Sequence, residues 1–111
     1  MFSNAIQWAA AQTACEGYGG NLASIESQDE QDAVFGLTSE TDTWLGASDV
    51  VTHLDYLWED GATFSYDNWF TLRPKDNVDQ DCMKMKITGT WDNVVCTKEL
   101  QYACQKAITV C

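Results

Sequence analysis

The stretch from Trp69 to Cys96, WFTLRPKDNVDQDCMKMKITGTWDNVVC, constrains the fold of this chain more than any other. It begins as an irregular polar loop crowded with side-chain oxygens, from Asp76, Asn77, Asp79, Gln80 and Asp81. A short alternating run follows from Met83 to Ile87, then a Thr88-Gly89 turn and the triplet Trp91-Asp92-Asn93. Cys82 and Cys96 bracket the run and the triplet. A disulfide between them would pin both strand-like pieces and set Asp92 and Asn93 beside the oxygen-rich loop. Such a surface suits a hard cation, a polyol, or both.

At 111 residues the chain is expected to be one domain, spanning 1–111. Its 45% hydrophobic content and five Trp supply a small but real core. Five cysteines at spacings unlike a zinc repeat point to disulfides and an oxidising, extracellular compartment. No apolar run is long enough to span a bilayer and no leader is visible, so a secreted chain is expected to have had its leader cleaved. The net charge of −11 repels nucleic acid and anionic membranes, and leaves cations, basic protein surfaces and glycans as partners.

Helical spacing of Trp8, Ala11 and Cys15 predicts a first helix over about 4–16, with Asn4 and Gln7 forming a capping box and Gly17, Gly19 and Gly20 stopping it. Ser27-x-x-Glu30 is a stronger capping box, opening a second helix to about Leu37 with Ala33, Val34 and Leu37 inward. Strands are then expected at Thr43–Ala47, at Leu54–Trp58 and at Gln101–Gln105. Helices first and strands after make an α+β fold.

These landmarks fall into one order: Trp8-x-x-Ala11-x-x-x-Cys15, Gly20-Asn21-Leu22-Ala23-Ser24-Ile25, Ser27-x-x-Glu30, Trp44-Leu45-Gly46, Trp58-Glu59-Asp60-Gly61, Trp69, Cys82, Trp91-Asp92-Asn93, Cys96 and Cys104. The ordered set resembles a C-type lectin-like domain over roughly residues 5–106, leaving 107–111 as a tail. The resemblance implies two helices, small antiparallel sheets and a long irregular loop, stapled by Cys15–Cys104 and Cys82–Cys96. The cysteine count alone does not choose among pairings. The first strand that most members carry before helix one is expected to be missing. Cys111 is left over, either as a free thiol or as the link of a disulfide-bonded dimer.

In sugar-binding members of that family a Ca²⁺ ion at the long loop is shared with the sugar hydroxyls. Here the residues flanking Pro74 are Arg73 and Lys75, which donate and do not coordinate. Gln80 stands where an acid is usual, and the Asn-Asp pair is inverted as Asp92-Asn93. Two readings follow. Either a tethered Lys75 ammonium fills the ordinary cation position by pairing with Asp92 or Asp81, or a displaced Ca²⁺ is held by Asp76, Asn77, Asp79, Asp81, Asp92 and Asn93. Asp49 and Asp76 match an auxiliary Ca²⁺ site in which His53 replaces an acid. The Ser24 carbonyl, Glu30 and Gln105 match a third, structural one.

Ligand contacts are expected from Phe70, Arg73, Lys75, Asp76, Asn77, Gln80, Asp92 and Asn93, with Trp44, Trp58, Trp69 and Trp91 kept for the core. The single histidine and the lack of any nucleophile, HExxH or phosphate-loop motif argue against an enzyme. The expected function is a secreted lectin for microbial or self surface glycans, a role in innate immunity. The alternative is a calcium-independent domain that has lost sugar binding and recognises a protein. Ice or mineral binding, which also occurs on this fold, has no residue signature here.

Overall fold

A computed structural model describes residues 2–38, 41–74 and 80–106, with the backbone alone at 2–4 and 106. In chain order the elements are β1 (Phe2–Ile6), α1 (Trp8–Gly17), β2 (Gly20–Leu22), α2 (Gln28–Thr38), β3 (Thr43–Ser48), β4 (Leu57–Trp58), β5 (Cys82–Met85), β6 (Trp91–Val94), β7 (Leu100–Tyr102) and β8 (Cys104–Lys106). One sheet runs β1-β7-β3-β5-β6 with β4 added on β3, and a two-stranded sheet pairs β2 with β8. The arrangement is the α+β fold expected, with one difference: β3 and β7 pair in parallel, Thr43 beside Gln101 and Trp44 beside Tyr102.

A second difference lies at the N-terminal end. The strand expected to be missing is present as β1, paired with β7 from Phe2–Tyr102 to Ile6–Leu100. Its pairing residues are claimed by the sheet, so α1 starts at Trp8 and not near residue 4. The expected Asn4/Gln7 box is therefore absent, and Gln7 caps the helix with no side-chain hydrogen bond. The carbonyl of Cys96 accepts the Trp8 N–H at 3.1 Å instead, so one orphan donor of the helix start finds a tertiary partner. Trp8, Ala11, Gln12 and Cys15 form the buried face, as the spacing predicts for Trp8, Ala11 and Cys15.

The start of α2 follows the expected box with its return bond shifted by one residue: Ser27 Oγ accepts the Glu30 N–H at 3.2 Å, and Glu30 Oε1 accepts the N–H of Glu26, not of Ser27, at 2.7 Å. Its buried face differs. Gln31 and Thr38 are buried and Val34 and Phe35 pack on the core, while Leu37 is 65% exposed and Ala33 is also exposed. A face centred on positions 31, 34, 35 and 38 leaves 37 a full step off the stripe.

β3 is the hub. All six of its residues are buried, with Trp44 packing toward α1 and Leu45 and Ala47 into the second core cluster with Met83, Met85 and Trp91. A Cβ on Gly46 would lie 2.5 Å from the Leu22 carbonyl oxygen, which explains why this strand carries a glycine. Gly46 N–H donates to the Ala23 carbonyl at 2.9 Å, tying the segment after β2 to the central strand. The bonds Cys15–Cys104 and Cys82–Cys96 are both present, the pairing the resemblance implies. They close spans of 89 and 14 residues, worth about 4–5 and about 3 kcal/mol respectively in the chain-entropy account.

The expected strand from Leu54 shrinks to Leu57–Trp58, because Leu54 sits in the left-handed region at φ 65° and turns the chain. The closing strand divides into β7 and β8 around Ala103, so one end of the chain serves both sheets.

Candidate functional site

Trp91 carries the site. It is fully buried, and Trp58, Phe64, Tyr66 and Trp69 surround it at ring separations of 5.7–6.0 Å, all edge to face. Its indole N–H donates to Gln31 Oε1 at 2.9 Å, and Gln31 Nε2 donates to the Gly89 carbonyl at 2.6 Å. The backbone of Trp91 accepts from Phe70 and donates to Asn68, both at 2.9 Å. β6 is thereby locked between α2 and the chain entering the long loop. Trp44, Trp58 and Trp91 are buried and Trp69 is half-buried against the core, matching their expected role.

Asp92 and Asn93, next along β6, are 7% and 0% exposed. Asp92 Oδ1 accepts from Arg73 Nε at 2.7 Å and from the Asn93 N–H at 2.8 Å. Asn93 Nδ2 donates to the Gln80 carbonyl at 2.9 Å, where the Tyr56 hydroxyl also donates at 3.3 Å. Arg73 precedes a cis bond to Pro74 and is positioned by a turn in which its N–H donates to the Phe70 carbonyl at 2.9 Å. The guanidinium thus stands on the carboxylate that the resemblance assigns to a shared Ca²⁺. The expected pairing of Lys75 with Asp92 or Asp81 falls outside the described residues, and among those described the side-chain cation on Asp92 is Arg73. Lys75, Asp76, Asn77 and Asp79 lie outside the described residues, as does Cys111.

The donor set at Asp92–Asn93 does not fit a Ca²⁺ ion. Asp92 Oδ1 carries two N–H donors, one of them from the Arg73 guanidinium, whose fixed positive charge opposes a Ca²⁺ ion on that carboxylate. The auxiliary position is different. Asp49 Oδ2 accepts from the Leu54 N–H at 2.7 Å and faces His53 Nδ1 at 3.5 Å, and the Asp49 N–H donates to the Asp81 carbonyl at 2.9 Å. Among the described residues Asp49 Oδ1 is buried without a hydrogen-bond partner, and ligand atoms of Asp49, His53 and Asp81 lie within 4.8 Å of one another. These residues can hold a cation. Burial first, and then the charge of Asp49 with smaller effects of Asp81 and Asp92, pushes the Tyr56 phenol well above its ordinary pKa, despite a hydrogen bond with Asn93 that pulls the other way.

Phe70 is 39% exposed, as expected of a contact residue, but its ring is not bare. Lys86 Nζ sits 3.7 Å from the ring centroid and the Arg73 guanidinium carbon 5.6 Å from it. Lys86 was not among the expected contacts. It lies beyond the end of β5, in a turn closed by its N–H to the Thr90 carbonyl at 2.7 Å, and only the β5–β6 hairpin brings it to Phe70. Lys84, on the same alternating run, is 7% exposed and pairs with Asp42 at 2.7 Å.

On the far side, Ser24 donates its N–H to Gln105 Oε1 at 3.1 Å and its hydroxyl to Asp60, an acid the sequence reading did not place there. Glu30 spends one oxygen on its own helix cap, in a shallow cleft also lined by Val34 and Leu37.

The match to known proteins follows the same outline. Residues 4–106 match the model of the lectin C-type domain. The low affinity immunoglobulin epsilon Fc receptor of Mus musculus is 32% identical over 93% of this chain, which spans about a third (32%) of that receptor's length. Among solved structures, the cow C-type carbohydrate-recognition domain of CD23, in the presence of GlcNAc2Man3 oligosaccharide, superposes with a TM-score of 0.91 at 30% identity, covering 98% of this chain and 86% of that one. A calcium-independent type II antifreeze protein superposes with a TM-score of 0.90 at 29% identity, covering 96% of this chain and 84% of that one. With the two disulfides, the Trp91-centred core and this match over almost its whole length, the chain belongs to the C-type lectin domain family.

Proposed function

We propose that this chain is an extracellular, non-catalytic recognition module that binds carbohydrate at its long-loop face without a Ca²⁺ shared at Asp92–Asn93. The observation that carries the second half is the 2.7 Å contact of Arg73 Nε with Asp92 Oδ1, an internal cation where a metal would otherwise stand. Two disulfides support the compartment. Membership in a family of recognition modules, one of whose solved structures was determined in the presence of an oligosaccharide, supports glycan as the ligand class.

Arg73, Lys86 and the edge of Phe70 form a cationic, partly apolar corner. Its two cations suit sulfated or carboxylated sugars, and Gln80 with the loop residues Lys75, Asp76 and Asn77 is proposed to supply the remaining contacts. The overall charge of −11 does not forbid an acidic glycan, since charges beyond about 8 Å are screened at physiological salt. A glycan array run with and without added Ca²⁺ tests the reading. Acidic glycans should dominate, independently of Ca²⁺, and Arg73→Ala with Lys86→Ala should remove them. An array dominated by plain mannose that needs Ca²⁺ sinks it.

The second reading is a protein ligand. Its support is the exposure of several large apolar side chains on the segments before and after Phe70: Val50, Val51, Leu54, Leu57 and Leu72, the last at 87%. An array with no glycan signal, beside retained folding, favours it.

A further inference from the structure

We propose that Asp49, His53 and Asp81 form a site for a divalent transition ion of the Zn²⁺ kind, in preference to Ca²⁺. The first support is Asp49 itself. Its side chain is only 1% exposed, yet Oδ1 has no hydrogen-bond partner among the described residues. A buried carboxylate oxygen left so is costly, and a cation is what would satisfy it. Gln80 Oε1, one residue before Asp81, is a second buried acceptor without a partner among the described residues.

The second support is the frame. Asp49 follows β3 and Asp81 precedes β5 where Ser48 pairs with Cys82, and the Asp49 N–H to Asp81 carbonyl bond joins the two acids' backbones. Cys82 is anchored by its disulfide. His53 comes from the turn that Asp49 closes through the Leu54 N–H. Two carboxylates and an imidazole are therefore presented by ordered chain, with ligand atoms within 4.8 Å of one another.

The third support is the donor chemistry. Ca²⁺ collects about six to eight oxygens and gains little from imidazole nitrogen. Zn²⁺ binds carboxylate oxygen and histidine nitrogen at about 2.0–2.2 Å, and its neighbouring ligands in a tetrahedron lie about 3.3–3.5 Å apart. His53 Nδ1 and Asp49 Oδ2 are 3.5 Å apart. The His53 side chain is 38% exposed, so water can reach the site and complete the ion's shell. The acid that the family resemblance expects at residue 53 would favour Ca²⁺; the imidazole inverts that preference.

Calorimetry and thermal melting with zinc chloride and calcium chloride test this on the whole chain, alkylated beforehand so that no free thiol competes. One Zn²⁺ per chain should bind and raise the melting temperature, with Ca²⁺ at least about tenfold weaker. His53→Ala, at a half-exposed position, should keep the circular dichroism of the fold and cost at least the roughly tenfold in Zn²⁺ affinity that loss of even an outer-shell partner costs. His53→Glu should reverse the order of the two ions. No stoichiometric Zn²⁺ binding, Zn²⁺ binding that survives His53→Ala, or tighter Ca²⁺ than Zn²⁺ binding in the unaltered chain overturns the proposal. Failure of His53→Glu to reverse the order overturns the ion choice.

Discussion

The guanidinium of Arg73 and the carboxylate of Asp92, 19 residues apart in sequence, meet at 2.7 Å with side chains 25% and 10% exposed. In a part-buried pair, removing one partner weakens the compensation of the charge that remains. Arg73→Ala should therefore cost about 1–3 kcal/mol in urea unfolding, the range for losing a hydrogen bond to a charged group. Asp92→Asn in the same chain should recover most of that loss, because the remaining group is then neutral. Equal instability of the single and double variants would show that Arg73 acts through packing alone.

Gly46 makes a second, steric prediction. Its missing Cβ would sit 2.5 Å from a backbone oxygen, and backbone yields less easily than a side-chain tip. Gly46→Ala should lower stability by about 1–3 kcal/mol, as overpacking of a filled core does. Thermal unfolding should show it, whereas Gly36→Ala, with open space around its Cβ position, should be neutral or stabilising.

Asp42 gives a pH dependence. Burial raises its carboxyl, but the hydrogen bonds from Lys84 and Ile87, then the charges of Lys84 and Lys98, outweigh that and leave it below its ordinary value of 3.8. A carboxylate depressed in the folded state stabilises above its unfolded pKa, and the contribution fades as pH falls through the folded one. The unfolding free energies of the unaltered chain and Asp42→Asn should thus differ most above pH of about 4 and converge as the solution is acidified further. A gap that is constant with pH would mean the Lys84–Asp42 contact is not ionic.

What was legible in the sequence was local or landmark-bound. The buried face of α1 follows from Trp8, Ala11 and Cys15 because helical period is a property of neighbours, and the Ser27–Glu30 box spans a single turn. The bridges came with the family order of the cysteines. Pairings across the whole chain stayed hidden: Phe2 meets Tyr102 in β1, and nothing near residue 2 announces a partner at residue 102. The same holds at the site. The flanks of Pro74 read as cations, but the contact of Arg73 with Asp92 is set by the Phe70–Arg73 turn and the register of β6. Lys84 looked like the polar half of an alternating run, and only the distant Asp42 makes its burial tolerable.

Gln31 is the side chain through which α2 holds the site, and it should be the most sensitive single polar position of the core. It is 3% exposed, accepts from the Trp91 indole at 2.9 Å and donates to the Gly89 carbonyl at 2.6 Å. Gly89 closes the turn between β5 and β6 at φ 92°, packed on Phe35 of the same helix, so the amide fixes both the start of β6 and the hairpin that carries Lys86. Gln31→Ala removes both partners at once. The buried indole N–H then has no acceptor, while the Gly89 carbonyl keeps a bond from Asn68 Nδ2 at 3.0 Å, so one full orphan and one weakened acceptor remain. At about 1–3 kcal/mol per orphaned group, plus the cavity left by the missing atoms, the loss should exceed that of Arg73→Ala. Gln31→Leu fills the volume and isolates the polar part. Hydrogen exchange gives the sharper reading: amide protection should fall first at Lys86 to Trp91, ahead of the β1–β7 pair. Uniform loss of protection would mean that Gln31 stabilises the domain as a whole and not the site it supports.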